Sequence, residues 1–169
     1  MTTSAPTVGS PPSAGLTRDD ITIATRAADS FIKLYYTAYD SSTRLSDLPN
    51  FYRPTSSITW NGNPLQGSDG VKRLIEKMPP TKHEMLSFDC HPIPGSTPPS
   101  LFVNVSGNVT HGRQHPPPTS QARSNTRSVD GHPRVFSQIF MLVPDPNVPP
   151  NPGEGTKYYV SVDALRFVG

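Results

Sequence analysis

Asp163 is the residue with the clearest chemical potential. It stands in the run Val162-Asp163-Ala164-Leu165, where strand alternation aims it at an interior that Tyr35, Tyr39 or Trp60 would share. A carboxyl desolvated there holds its proton to higher pH and could act as general base on a small apolar substrate, as in an isomerase or dehydratase. The same residue has a structural reading, a buried carboxylate bonded by a tyrosine hydroxyl or a backbone amide. A base alone makes no active site, and no His-Asp or paired-carboxylate spacing completes one. An open pocket of ligand size beside Asp163 would favour catalysis, and a filled interior would favour structure. No catalytic residue is assigned.

The remaining reactive side chains carry less. His83, His91, His111, His115 and His132 show no ligand-pair spacing except His111/His115, which lie in a Pro-rich stretch rather than on a helix, so no metal site is expected. Cys90 alternates with apolar residues and reads as a small packed hydrophobe. Trp60, beside Asn61-Gly62, reads as a core anchor under a turn. There is no phosphate loop or dinucleotide fingerprint, and no cofactor is expected.

The elements that must position these residues sit in a chain of 169 residues with 33% apolar residues, 21 prolines and a net charge of +2. The low apolar fraction follows from proline crowded into three segments: Pro6–Pro12, Pro116–Pro118 and Pro144–Pro152. Setting these aside leaves one folded core of about 120 residues. Near-neutral charge argues against a general nucleic-acid polycation. A single cysteine excludes an internal disulfide framework and suits the cytosol or nucleus. No apolar run approaches membrane-spanning length, and Met1–Gly15 lacks the basic and apolar regions of a secretory leader.

Residues 1–16 read as a disordered tail, and 17–169 as one domain. Thr17, with Asp19 and Asp20 behind it, is a candidate N-cap. Ala24, Ala28, Phe31, Ile32, Tyr35 and Tyr39 then recur at helical spacing to about Asp40. A short helical turn at Leu45–Leu48 is stopped by Pro49. A strand at Ser57–Trp60 meets the Asn61-Gly62 turn, and Ser68 caps a second helix ended by Pro79-Pro80. His83–His91, Leu101–Thr110, Arg134–Val143 and Lys157–Phe167 read as four consecutive antiparallel strands. The expected architecture is α+β, with N-terminal helices packed on one face of a curved antiparallel sheet.

That sheet is apolar on both sides. Phe136, Phe140 and Leu142 oppose Val135, Ile139 and Met141, while Tyr159, Leu165 and Phe167 oppose Tyr158, Val160, Val162 and Ala164. A sheet with one wet face alternates cleanly. One face takes the helices, and the other calls for a second polypeptide, with Met85, Ile139, Met141, Val160 and Val162 as interface candidates. The class this implies is a non-catalytic interaction module.

Arg26-Ala27-Ala28-Asp29-Ser30-Phe31 with Tyr35-Tyr36 resembles the opening helix of the nuclear transport factor 2-like superfamily. Thr59-Trp60-Asn61-Gly62-Asn63, Phe88-Asp89-Cys90-His91-Pro92, Phe136-Ser137-Gln138-Ile139-Phe140 and Asp163-Ala164-Leu165-Arg166-Phe167 resemble the small subunits of heterodimeric mRNA export receptors, in their fungal form. The resemblance implies a cone-shaped fold that pairs through its sheet with the large subunit of the receptor. It also implies shuttling between nucleus and cytoplasm through nuclear pores, with nucleoporin Phe-Gly repeats bound chiefly by the large subunit and mRNA as cargo. At the matching point of the last strand it implies that Arg166 pairs with an acidic residue of that subunit, a role suited to a guanidinium fork; a solvent-facing strand-end charge is the alternative. A homodimeric carrier remains open, because self-pairing demands the same apolar face.

The long connection at about 111–133 departs from shorter members. It brings Arg113, Arg123, Arg127 and Arg134 together against Asp130 alone. Spaced arginines among Ser, Gln, Asn and Pro suit RNA phosphates, and the resemblance implies mRNA or ribosomal RNA as their partner. A solvated loop without function is the alternative. A second, Pro-rich loop covers about 144–156.

Overall fold

The structure is a computed structural model that describes residues 15–112, 131–149, 152–153 and 155–168. The expected tail up to residue 14 lies outside these.

Helix α1 spans Arg18–Asp40. Its start is a reciprocal cap: Thr17 Oγ1 accepts from the Asp20 amide (3.1 Å), and the Asp20 carboxylate accepts from the Thr17 amide (2.8 Å). Its buried stripe is Ala24, Ala28, Phe31, Ile32, Tyr35, Tyr36 and Tyr39. The far end is pinned by Asp40, which accepts from Thr81 Oγ1 (2.8 Å) and the His83 amide (2.7 Å) and lies 2.6 Å from His83 Nδ1. Burial opposes ionisation of Asp40, but the contacts with His83 outweigh it and hold the carboxyl below its ordinary pKa.

A four-residue helix α2 (Arg44–Asp47) runs into a 3-10 turn over Leu48–Phe51. Pro49 therefore does not stop helical structure; it sits in the first turn of the tighter helix, where its missing N–H costs nothing. Strands β1 (Tyr52–Trp60) and β2 (Asn63–Gln66) form a hairpin around Asn61 and Gly62, whose φ values of 45° and 86° are those a two-residue turn requires. Helix α3 (Gly67–Glu76) follows directly. Its N-cap is Gln66, while Ser68 instead donates to the Tyr52 carbonyl at 3.1 Å.

Strands β3 (Thr81–Ile93), β4 (Ser100–His111), β5 (Pro133–Pro144) and β6 (Tyr158–Phe167) form the antiparallel meander. The sheet order is β2-β1-β6-β5-β4-β3, and β1 pairs with β6 in parallel. The sheet is thus mixed and six-stranded, where the sequence pointed to an all-antiparallel one. Joining the first strand to the last keeps β1 from being an unpaired edge beside the core. The helices cover one face, over Val103, Val105, Val109, Phe136, Phe140, Leu142 and Leu165, all buried.

Curvature comes from bulges. Between Met85 and Ser87 the β3–β4 register slips by one residue, and the sheet there folds so tightly on Gly107 that a Cβ would lie 2.2 Å from the Glu84 carbonyl oxygen. Gly107→Ala is expected to destabilise the domain by about 1–3 kcal/mol, read as a lowered urea midpoint; an unchanged midpoint would show that the bend is not set by this contact.

Candidate partner interface

On β5, alternation carries Val135, Ser137, Ile139, Met141 and Val143 to the face without helices. The cross-strand register shows what surrounds them. Ile139 stands between Ala164 on β6 and Asn104 on β4, and Met141 between Val162 and Phe102. Ser137 stands between Arg166 and Ser106. Toward β3 the rows end in Ser87, Asp89 and His91. The face is therefore apolar and uncharged over β5 and β6, apart from Arg166, and polar toward β3. Val135, Phe102, Ile139 and Val162 are 48%, 39%, 36% and 41% exposed. These are large apolar side chains left in water side by side, not scattered singly. Arg166 is exposed in the row of Ser137, between Val135 and Ile139, and none of the ion pairs among the described residues includes it.

Two of the expected interface residues are not on this face. Val160 pairs with Leu142 and is fully buried, because the β5–β6 register shifts between Met141 and Leu142 and Ser161 is the extra residue. The bulge reverses alternation, so Val162, Ala164 and Arg166 look outward while Val160 looks into the core. Met85 sits at the β3 bulge opposite Gly107, in register with Phe136 of the core face. It is 38% exposed, but on the edge strand and off the rows of Ile139 and Met141. Phe102 was missed. Its signal was the alternation Leu101, Val103, Val105, all buried, which leaves Phe102 pointing the other way.

Arg113, Arg123 and Arg127 lie outside the described residues. Arg134 shares the inner alternation of Phe136, and its guanidinium carbon lies 3.7 Å from the Phe167 ring centroid. It belongs to the open end of the helix-covered side, not to the strip with Arg166.

Asp163 is buried at the centre of a hydrogen-bonded cluster. Tyr52 Oη donates to Oδ2 (2.6 Å) and Gln138 Nε2 donates to Oδ1 (2.8 Å), while Tyr35 Oη approaches Oδ2 at 3.5 Å. Tyr35 and Tyr52 share a 2.7 Å hydroxyl contact, and Tyr36 donates to Gln138 Oε1 (2.7 Å). Burial raises the Asp163 pKa to about 6, partly offset by the bonds from Tyr52, Gln138 and Tyr35. Burial, with the nearby Asp163 charge, likewise pushes the Tyr35 and Tyr52 hydroxyls well above their ordinary value. The space left beside Asp163 is about 10 Å³, room for one water at most. The cone is filled here, and the carboxylate ties α1 to β1, β5 and β6. Gln138 was legible only as a polar residue at inward parity between Phe136 and Phe140.

The model of the nuclear transport factor 2 (NTF2) domain matches residues 27–167. The chain belongs to the NTF2 domain family. NTF2-related export protein 2 of Homo sapiens is 30% identical over 85% of this chain and 87% of its own length. NTF2-related export protein 1 of Bos taurus is 32% identical over 51% of this chain, an alignment spanning 62% of the bovine protein. Among solved structures, the Chaetomium thermophilum Mex67 NTF2-like domain complexed with Mtr2 gives a TM-score of 0.62 at 19% identity, covering 86% of this chain and 99% of that one. A scytalone dehydratase-like protein of Novosphingobium aromaticivorans gives 0.64 at 12% identity, over 90% and 89%. At such identities the likeness is one of fold alone.

The filled NTF2 cone makes a pH prediction. Native Asp163 holds its proton to about pH 6, whereas the unfolded carboxyl releases it near 3.8, so stability from this group is highest at low pH and falls as pH rises through that window. Two pKa units correspond to about 3 kcal/mol. Asp163→Asn is expected to remove that fall, seen as a wild-type minus variant stability difference that changes between pH 4 and 6 and is flat above. A difference independent of pH would contradict the buried, proton-holding carboxyl.

Proposed function

We propose that this chain is a non-catalytic nuclear transport subunit that pairs, through the outer face of β5 and β6, with the NTF2-like domain of a larger mRNA export subunit. In this reading the heterodimer carries mRNA through nuclear pores, with nucleoporin Phe-Gly repeats met through the complex and the basic connection between β4 and β5 touching messenger or ribosomal RNA. The protein would shuttle between nucleus and cytoplasm.

The observation that carries the reading is the apolar strip of Ile139, Met141 and Val162, which the helices among the described residues leave uncovered. Export-related relatives, and the fold shared with a protein solved in complex with a second NTF2-like domain, support the choice of partner. Arg166, in the row of Ser137 beside Ile139, suits a carboxylate on that partner.

Replacing Arg166 by Glu sets two carboxylates against each other in a desolvated site. Affinity for the large subunit, measured by isothermal titration calorimetry, is expected to fall by about 3–5 kcal/mol. Ile139→Glu is expected to weaken pairing too, by burying a charge without a partner. Wild-type affinity in both variants would place the interface elsewhere, and equal self-association of the chain without partner would favour a homodimeric carrier.

A further inference from the structure

The open end of the helix-covered side holds a second recess, of about 290 Å³, on the far side of Trp60 and Leu74 from the filled space beside Asp163. Its volume is at the small end of the range for ligand pockets, room for one flat ring system and its substituents. Trp60 and Phe167 form an aromatic corner with centroids 5.6 Å apart and rings at 87°, and Leu74 and Met78 supply the apolar wall. The charges are of one sign: Lys77 and Arg134 line the recess and, among the described residues, no carboxylate does. Arg134 is held against the face of Phe167, placing a guanidinium beside the aromatic corner.

We propose that this recess binds one nucleotide of single-stranded RNA, the base packing on Trp60, Phe167 and the Arg134 guanidinium, and the phosphate meeting Lys77 and Arg134. Unpaired bases are recognised by just this pairing of aromatic or guanidinium surfaces with a basic track for the backbone. A nucleotide is favoured over an acidic peptide by the aromatic and guanidinium surfaces that converge with two cations on the recess. β4 ends at His111, which lines it, and β5 brings in Arg134 from the other side.

The proposal rests on the RNA-contact part of the function proposed above and is independent of the pairing face. Trp60 is the only tryptophan in the chain, so its emission reports on the recess. The full chain is titrated with a fluorescein-labelled ten-nucleotide oligouridylate, following Trp60 emission and RNA anisotropy together, with Trp60→Phe as the blank. Saturable quenching that tracks the anisotropy is expected. Lys77→Gln with Arg134→Gln is expected to weaken binding about tenfold and to lower the slope of log affinity against log salt by about 0.7, one phosphate on a single strand. Circular dichroism confirms that the variant is folded. RNA binding with Trp60 emission unchanged would overturn the recess as the site while leaving the connection as an RNA contact. No RNA binding at all would overturn both. Quenching by an acidic phenylalanine-containing peptide but not by RNA would overturn the nucleotide in favour of a peptide.

Discussion

A six-stranded sheet with apolar side chains on both faces, and helices for only one of them, is the constraint from which the rest of the molecule follows. Helix α1 lies along the sheet on one side, anchored at its end by Asp40 on Thr81 and His83. Its tyrosines reach across the core to Gln138 and Asp163. The inner face is thereby complete: among the described residues no buried side-chain nitrogen or oxygen lacks a hydrogen-bond partner. Among the described residues nothing equivalent closes the outer face. Ile139 and Val162 have the composition of a core and the exposure of a surface, with Met141 half-buried between them.

The polar cluster inside the cone explains why a fold shared with a dehydratase-like protein need not carry chemistry here. A carboxyl with a raised pKa in an apolar interior is what a general base requires. It also requires room for a substrate. Tyr35, Tyr52 and Gln138 take up both the space and the lone pairs of Asp163. The carboxyl ties one helix to three strands, and the bonds from Tyr52, Gln138 and Tyr35 offset part of its burial cost.

Much of this was legible in the sequence because it depends on short-range rules. The cap at Thr17, the α1 stripe, the Asn61-Gly62 turn and the four long strands follow from spacing and turn chemistry. The two faces of β5 were read correctly for the same reason. What failed was whatever depends on register between strands. A bulge at Ser161 moved Val160 into the core, and another at Leu86 took Met85 off the shared face; neither leaves a mark in alternation, since an extra residue is defined only against a partner strand. The parallel pairing of β1 with β6 is likewise a long-range closure that no local pattern records. The recess at Trp60 and Phe167 brings together five separate segments, so its aromatic and basic residues had no common spacing to reveal them.

A face of β5 and β6 built for a second NTF2-like chain must show itself in the mass of the particle in solution. Light scattering gives that mass for this chain purified alone and then co-expressed with the NTF2-like domain of a large mRNA export subunit. A one-to-one complex is expected with the partner, and aggregation or weak self-association without it. A stable monomer that ignores the partner would contradict it.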